Sequence, residues 1–158
     1  MTTVQVILIV AVISAGLFTG LLMTIVAFFH RVLRDLAAPE FTLVMQRFLG
    51  VTRTHPLHYG LVITSTLAPV AALVSLRESV GSPSFVLLLA ALMSFFAGPV
   101  LVSRYAVEPI YDVVLGWKSQ SPPEDWRVAR DRYFRLNAIR GFGSGAAFVF
   151  FLVSLSLL

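Results

Sequence analysis

The chain has 158 residues, of which 58% are hydrophobic and only 13% are charged, and its mean hydropathy is +0.87. Soluble domains of this size carry about twice that share of charged residues, so the composition indicates a membrane protein. The lack of cysteine excludes disulfides, thiolate metal sites and a cysteine nucleophile. The net charge is +4, but the basic residues are not interleaved with stacking aromatics, which excludes a nucleic-acid groove.

Four apolar runs are long enough to cross a bilayer as helices. They predict an all-α, integral membrane four-helix bundle that forms a single membrane domain over residues 1–158. Pro69 and the Gly98-Pro99 pair lie inside two of the runs and are expected to bend their helices. The predicted membrane spans are residues 4–29, 57–76, 84–107 and 138–158.

Two polar stretches join these spans on one side. In residues 30–56, apolar residues recur at helical spacing from Phe41 to Leu49, which predicts an amphipathic interfacial helix over residues 38–50. In residues 108–137, Ser121 and the acidic residues after it resemble a helix start. We therefore predict a polar helix that begins near Ser121 and extends into the fourth span.

The basic residues predict the orientation. Of the 12 lysine and arginine residues, only Arg77 lies between the second and third spans, and the others lie in or beside residues 30–56 and 108–137. By the positive-inside rule, these two stretches are expected in the cytoplasm and both termini outside. The expected location is the cytoplasmic membrane of a bacterium, with the lipid bilayer as the first partner.

A polar stripe enters the fourth span. Tyr133, Asn137, Arg140 and Ser144 follow one another at i, i+4, i+7 and i+11, so they share one face of a helix. One interpretation is a site for an anionic or oxygen-bearing ligand, in which Arg140 holds the charge and Asn137 and Tyr133 form hydrogen bonds. The alternative is that Arg140 reaches out to lipid headgroups and Asn137 only joins neighbouring helices.

Histidines and carboxylates form two further pairs. His55 and His58 are spaced i, i+3 near the start of the second span, which is a weak signal for a metal site because no third ligand is near in sequence. Glu108 and Asp112 are spaced i, i+4. They could serve in acid–base chemistry or complete a metal site with the histidines, but a salt bridge to an arginine of the last helix is the favoured role.

Three short segments occur in a characteristic order. They are Val44-Met45-Gln46-Arg47 with His55-Pro56, then Pro109-Ile110-Tyr111, and then the stretch from Pro122 to Arg140. They resemble the "MQ-x-x-N … N-P", "V-P-x-N" and "P-x-D-W … R-x-R-W … H-x-x-R" segments of the DUF1772, or anthrone oxygenase-like, family of small four-span membrane proteins. Here Tyr111, Tyr133 and Asn137 stand where that family has Asn, Trp and His.

The resemblance implies an enzyme that oxidises a lipophilic polycyclic phenol, of the anthrone to quinone type, with dioxygen as co-substrate and without a conventional redox cofactor. It implies that Arg140, helped by Tyr111 or Gln46, stabilises an oxyanion. Because an amide does not titrate usefully, Asn137 cannot act as the family's histidine, and His58 or His55 remains the candidate base. The expected catalytic residues are Arg140, Asn137, Tyr111 and His58; the expected substrate-binding residues are Gln46, Trp126, Tyr133 and His55.

A second hypothesis needs no chemistry. The same bundle could be a non-catalytic accessory subunit of a larger membrane complex or a binder of a lipophilic small molecule. The partners in that case would be a second copy of the chain, another membrane protein or the aromatic molecule itself.

Overall fold

The structure is a computed structural model that describes residues 1–158. Four helices are long and apolar enough to cross a membrane: α1 (Thr3–Asp35), α3 (Pro56–Ser75), α4 (Pro83–Leu115) and α5 (Trp126–Ser156). A shorter helix, α2 (Ala38–Thr52), lies between the first two, and the chain forms no strand. The predicted all-α membrane bundle is therefore confirmed.

The four long helices form a closed ring. Helix α1 packs against α3 and α5, and α4 packs against the same two helices. Because successive spans reverse direction, every neighbouring pair is antiparallel, as in an up-down-up-down bundle. The core between them contains Phe18, Phe95 and Phe151, whereas outward-facing apolar side chains such as Ile63 and Met93 form a surface suited to lipid.

Helix α2 is the amphipathic helix that the sequence predicts. The backbone N–H of Ala37 donates to the Glu40 carboxylate at 3.1 Å, and Pro39 occupies the first turn, so both features favour a helix start here. Phe41, Met45 and Leu49 are buried in a second core with the end of α4 and the start of α5. We call this part of the bundle, with α2 and the turn at residues 116–125, the basic end.

The start of α5 differs from the prediction. The helix begins at Trp126, with Asp125 at the N-cap position, and residues 116–125 form turns. Ser121 and Pro122 each precede a proline, which disfavours the helical conformation at both positions. The polar extension itself is confirmed, because α5 continues without a break from Trp126 to Ser156.

Two of the long helices widen locally into π-helix at the basic end. The segments are Ile25–Phe29 in α1 and Phe96–Val107 in α4. The second contains Pro99, which has no N–H to donate to the helix. The Pro99 carbonyl accepts a hydrogen bond from the Ser103 hydroxyl. π-Helical segments are frequent at functional sites, and here both border the same cavity.

Helices α4 and α5 approach closely at two glycines. A Cβ on Gly98 would lie 3.0 Å from the Cα of Gly143, and the Ser94 hydroxyl donates to the Gly143 carbonyl at 2.9 Å. Small residues allow such backbone contact between membrane helices. This contact holds α5 against α4 at Gly143, about one helical turn after Arg140.

Candidate functional site

A cavity of about 410 Å³ lies in the half of the bundle nearest the basic end. All five helices contribute to its wall, which extends along α1 from Phe18 to Ile25, on the order of 10 Å. Small-molecule sites in proteins are typically of this size, with apolar walls and few polar groups. The few polar groups in the wall are therefore the candidates for binding or catalysis.

Arg140 is the only residue of α5 that lines the cavity. Its side chain is 5% exposed, and its Nη1 donates to Asn137 Oδ1 at 2.8 Å. Its Nε has no hydrogen-bond partner, and no carboxylate lies within salt-bridge distance. A buried guanidinium with one neutral partner is costly unless a ligand completes its environment, so Arg140 is suited to binding an anion.

The whole predicted stripe faces the interior. Tyr133, Asn137 and Ser144 are buried together with Arg140, so the side chains lie between helices rather than along the lipid face. Ser144 shares a hydrogen bond of 2.7 Å with Thr19 of α1. The stripe therefore anchors α5 at Ser144 and presents Arg140 to the cavity.

His58 and Tyr111 line the same cavity as Arg140. His58 lies in the first turn of α3, with its ring 5.4 Å from that of Phe18. Tyr111 lies near the end of α4, with its ring 5.9 Å from that of Tyr133. The structure thus brings together three of the four predicted catalytic residues, and the fourth, Asn137, holds Arg140.

Arg53 closes one side of the cavity. It follows the last residue of α2, forms a salt bridge with Glu108, and places its Nη1 2.9 Å from Asp112 Oδ1. The hydrogen bond that Arg53 donates to Asp112, with the charges of both carboxylates, raises the pKa of Arg53 above its ordinary value. The prediction that an arginine of the last helix would pair with Glu108 and Asp112 is wrong, because α2 brings Arg53 to them first.

Gln46, Trp126 and His55, which were predicted from the sequence as substrate-binding residues, do not line the cavity. The Gln46 amide nitrogen donates to the Trp117 carbonyl at 2.8 Å, which ties α2 to the chain after α4. Trp126 packs on Phe41 with ring centroids 5.1 Å apart. His55 caps α3, with its Nδ1 accepting from the Leu57 N–H.

Tyr133 is close to the cavity without lining it. Its hydroxyl is buried without a hydrogen-bond partner, and its ring lies 5.6 Å from that of His30, which stacks on Phe134 at 4.1 Å. His30 is not among the site residues predicted from the sequence. Its position just after the first apolar run gave no sign that α1 would turn it towards α5.

No group of three or more His, Asp or Glu side chains is placed to hold a metal ion. His55 and His58, the pair considered for that role, have separate environments, since His58 lines the cavity and His55 is exposed at the helix cap.

The fold and the site together define a small all-α membrane bundle with an internal cavity that places an arginine, a histidine and a tyrosine against apolar walls. Comparisons with protein-family models, curated proteins and solved structures found no match to this chain.

Proposed function

We propose that this protein is a membrane enzyme of the anthrone oxygenase type, which oxidises a lipophilic polycyclic phenol with dioxygen. The observation that supports this most is the buried Arg140, which lines a largely apolar cavity together with His58 and Tyr111. The resemblance of three sequence segments to that family supports the same reaction. Apolar helix surfaces around the cavity suit a substrate that dissolves in the bilayer.

Formation of an anion is the step that this cavity would assist. An anthrone carries a CH₂ group opposite its carbonyl, and loss of one proton gives an anion whose charge is spread onto the carbonyl oxygen. The guanidinium of Arg140 stabilises that oxygen most strongly in a low-dielectric cavity, and the Tyr111 hydroxyl can donate to it as well. A ring nitrogen of His58 accepts the proton.

Dioxygen is the oxidant. The carbanion carbon forms a bond to one oxygen atom, and the resulting hydroperoxide breaks its O–O bond with loss of water. The carbon becomes the second quinone carbonyl, and the other oxygen atom leaves in the water together with the two hydrogens of the original CH₂. The protein contributes proton transfer and charge stabilisation, and the delocalised anion supplies the electrons.

The orientation of the protein forms part of this proposal. The basic end would face the cytoplasm of a bacterium and both termini would lie outside, because cytoplasmic loops of membrane proteins are rich in lysine and arginine. Because the chain lacks cysteine, single cysteines at Lys118 and Arg77 can be labelled cleanly in intact cells. Labelling at Arg77 alone is expected, and labelling at Lys118 alone would reverse the orientation.

A second candidate function is binding without chemistry. The observation that favours it is the hydrogen bond between Asn137 and Arg140, because the amide neither titrates nor contacts the cavity. In that case the protein would carry a lipophilic molecule, or serve as an accessory subunit, and would release the ligand unchanged.

Turnover by the purified protein in nanodiscs separates the two functions. Oxygen uptake and quinone absorbance are followed with anthrone, above the rate with empty nanodiscs. We expect Arg140→Gln to lower quinone formation by about 10²-fold and His58→Gln by a similar factor. Arg135→Gln is the matched control, because Arg135 is an exposed arginine of the same helix.

Three results are informative. Loss of turnover in both cavity variants with normal turnover in Arg135→Gln supports the enzyme. Wild-type turnover in Arg140→Gln would overturn the assigned role of the arginine. Binding of anthrone without any quinone formation by the wild-type protein would favour the carrier or accessory function.

A further inference from the structure

The charges around the cavity are unbalanced. Its wall contains three guanidinium groups, from Arg53, Arg104 and Arg140, but only one carboxylate, from Glu108. Arg53 is paired with two carboxylates, Glu108 and Asp112, so these three side chains carry one net negative charge and neither carboxylate is paired with Arg104 or Arg140. Neither Arg104 nor Arg140 has a carboxylate within salt-bridge distance, so two positive charges are left without a counterion from the protein.

The two unmatched arginines lie at different depths. Arg140 is 5% exposed and belongs to the inner wall. Arg104 is exposed and lies on the π-helical segment of α4, where it shares the cavity-facing side with Ser103 and Val107. One cation is therefore inside the cavity and the other is at its mouth.

We infer that the ligand of this cavity is an acidic polycyclic phenol with a second anionic group. This inference rests on the proposed function and specifies its substrate class. The phenol-type oxygen binds Arg140, and a carboxylate at the other end of the molecule binds Arg104. A neutral hydrocarbon-like ligand would contact the apolar walls, but it would leave the buried Arg140 without an anion in a low-dielectric setting and Arg104 without a partner at the mouth.

A lipid phosphate has the same anionic chemistry as the proposed carboxylate. A phospholipid headgroup could therefore bind Arg104 from the membrane surface, where arginine side chains commonly reach headgroups. The composition of the surrounding bilayer distinguishes the two sources.

The test compares two fluorescent probes that differ by one charge, 2-anthrol and 6-hydroxyanthracene-2-carboxylate. Their dissociation constants are measured with the full-length protein in phosphatidylcholine nanodiscs. We expect Arg104→Gln to weaken binding of the carboxylate probe by about tenfold and to leave the binding of 2-anthrol unchanged. Arg104→Lys keeps the charge and should retain most of the affinity, and Arg77→Gln, at the opposite end, is the control.

The outcomes separate this inference from the proposed function. If both probes bind and Arg104→Gln weakens neither, or weakens both equally, the second anionic group is wrong while the cavity remains a phenol site. If neither probe binds the wild-type protein, the proposed function itself fails. If phosphatidylglycerol in the nanodiscs abolishes the advantage of the carboxylate probe, the anion at Arg104 is a lipid headgroup and the inference is overturned.

Discussion

Asn137 Oδ1 accepts a hydrogen bond of 2.8 Å from Arg140 Nη1, and both side chains are buried three residues apart on α5. An amide oxygen stabilises the guanidinium through its dipole but does not cancel its charge. Arg140 therefore stays positive and orientated while remaining free to bind an anion. A carboxylate at the same position would hold the arginine equally well and occupy it.

Substitution of Asn137 should separate stability from ligand binding. Asn137→Ala removes the partner of a buried charge, and we expect the free energy of unfolding to fall by about 2 kcal/mol. Asn137→Asp should keep the protein at least as stable as Asn137→Ala, yet weaken binding of 2-anthrol by more than tenfold, because an ion pair neutralises Arg140. Thermal unfolding and probe binding measure the two effects, and wild-type affinity in Asn137→Asp would contradict the role of Arg140.

Much of the scaffold could be predicted from sequence because its signals are local. The apolar runs identified all four long helices, and the spacing of Tyr133, Asn137 and Arg140 placed them correctly on one buried face. Helical periodicity acts over a few residues, so a single segment is enough to show it. Asn137, predicted as a catalytic residue, accepts a hydrogen bond from Arg140, and the pairing of these two side chains could not be read from their spacing alone.

Contacts between distant segments could not be predicted in the same way. Arg53 pairs with Glu108 and Asp112 across more than 50 residues of sequence, whereas the sequence favoured an arginine of the last helix as their partner. In the sequence, Arg104 is only one of the basic residues beside residues 108–137. Its place in the cavity depends on the π-helical widening around Pro99, which shifts the register of the face that α4 presents.

The contact between Gly98 and Gly143 should be intolerant of a methyl group. Gly98→Ala would place its Cβ 3.0 Å from the Cα of Gly143, so the helix backbones would have to move apart, and we expect a loss of about 1–3 kcal/mol in stability. Gly20→Ala is the matched control. Nothing lies within 4 Å of its Cβ position, and alanine favours the helix by about 0.5–1 kcal/mol. Equal melting temperatures for the two variants would show that the close contact is not required.

The ion pairs of Arg53 should contribute little to stability. The side chains of Arg53 and Glu108 are each 31% exposed and that of Asp112 is 67% exposed, so solvent screens the attraction. We expect Arg53→Gln to cost about 0.2–1 kcal/mol at low salt and less at 1 M salt. A salt-independent loss well above this range would indicate a buried, unscreened interaction instead.

The pKa of Arg53 gives the sign of any pH effect. Because pairing raises the pKa of Arg53 in the folded state, its contribution is fully present below the unfolded pKa and is lost only as pH rises through the higher folded value. Both values lie far above neutrality. The stability difference between the wild-type protein and Arg53→Gln should therefore show no transition from arginine titration between pH 6 and 9, as measured by unfolding at constant ionic strength.

Ser84 and Ser154 should couple energetically at the end of the bundle opposite the cavity. Each hydroxyl donates to the backbone carbonyl of the other residue, at 3.0 Å from Ser84 and 2.9 Å from Ser154, and both side chains are buried between α4 and α5. The two hydroxyl oxygens also lie 3.0 Å apart, and either substitution removes this shared contact, so the second substitution should cost less than the first. A double-mutant cycle with Ser84→Ala and Ser154→Ala should give a coupling of about 0.6 kcal/mol, typical of membrane helices.

Ser156→Ala, which loses only an exposed hydrogen bond within its own helix, is the control. Binding of 2-anthrol should be unchanged in all these variants, because none of the three serines lines the cavity. Strictly additive losses would mean that the two helices are joined here by packing alone.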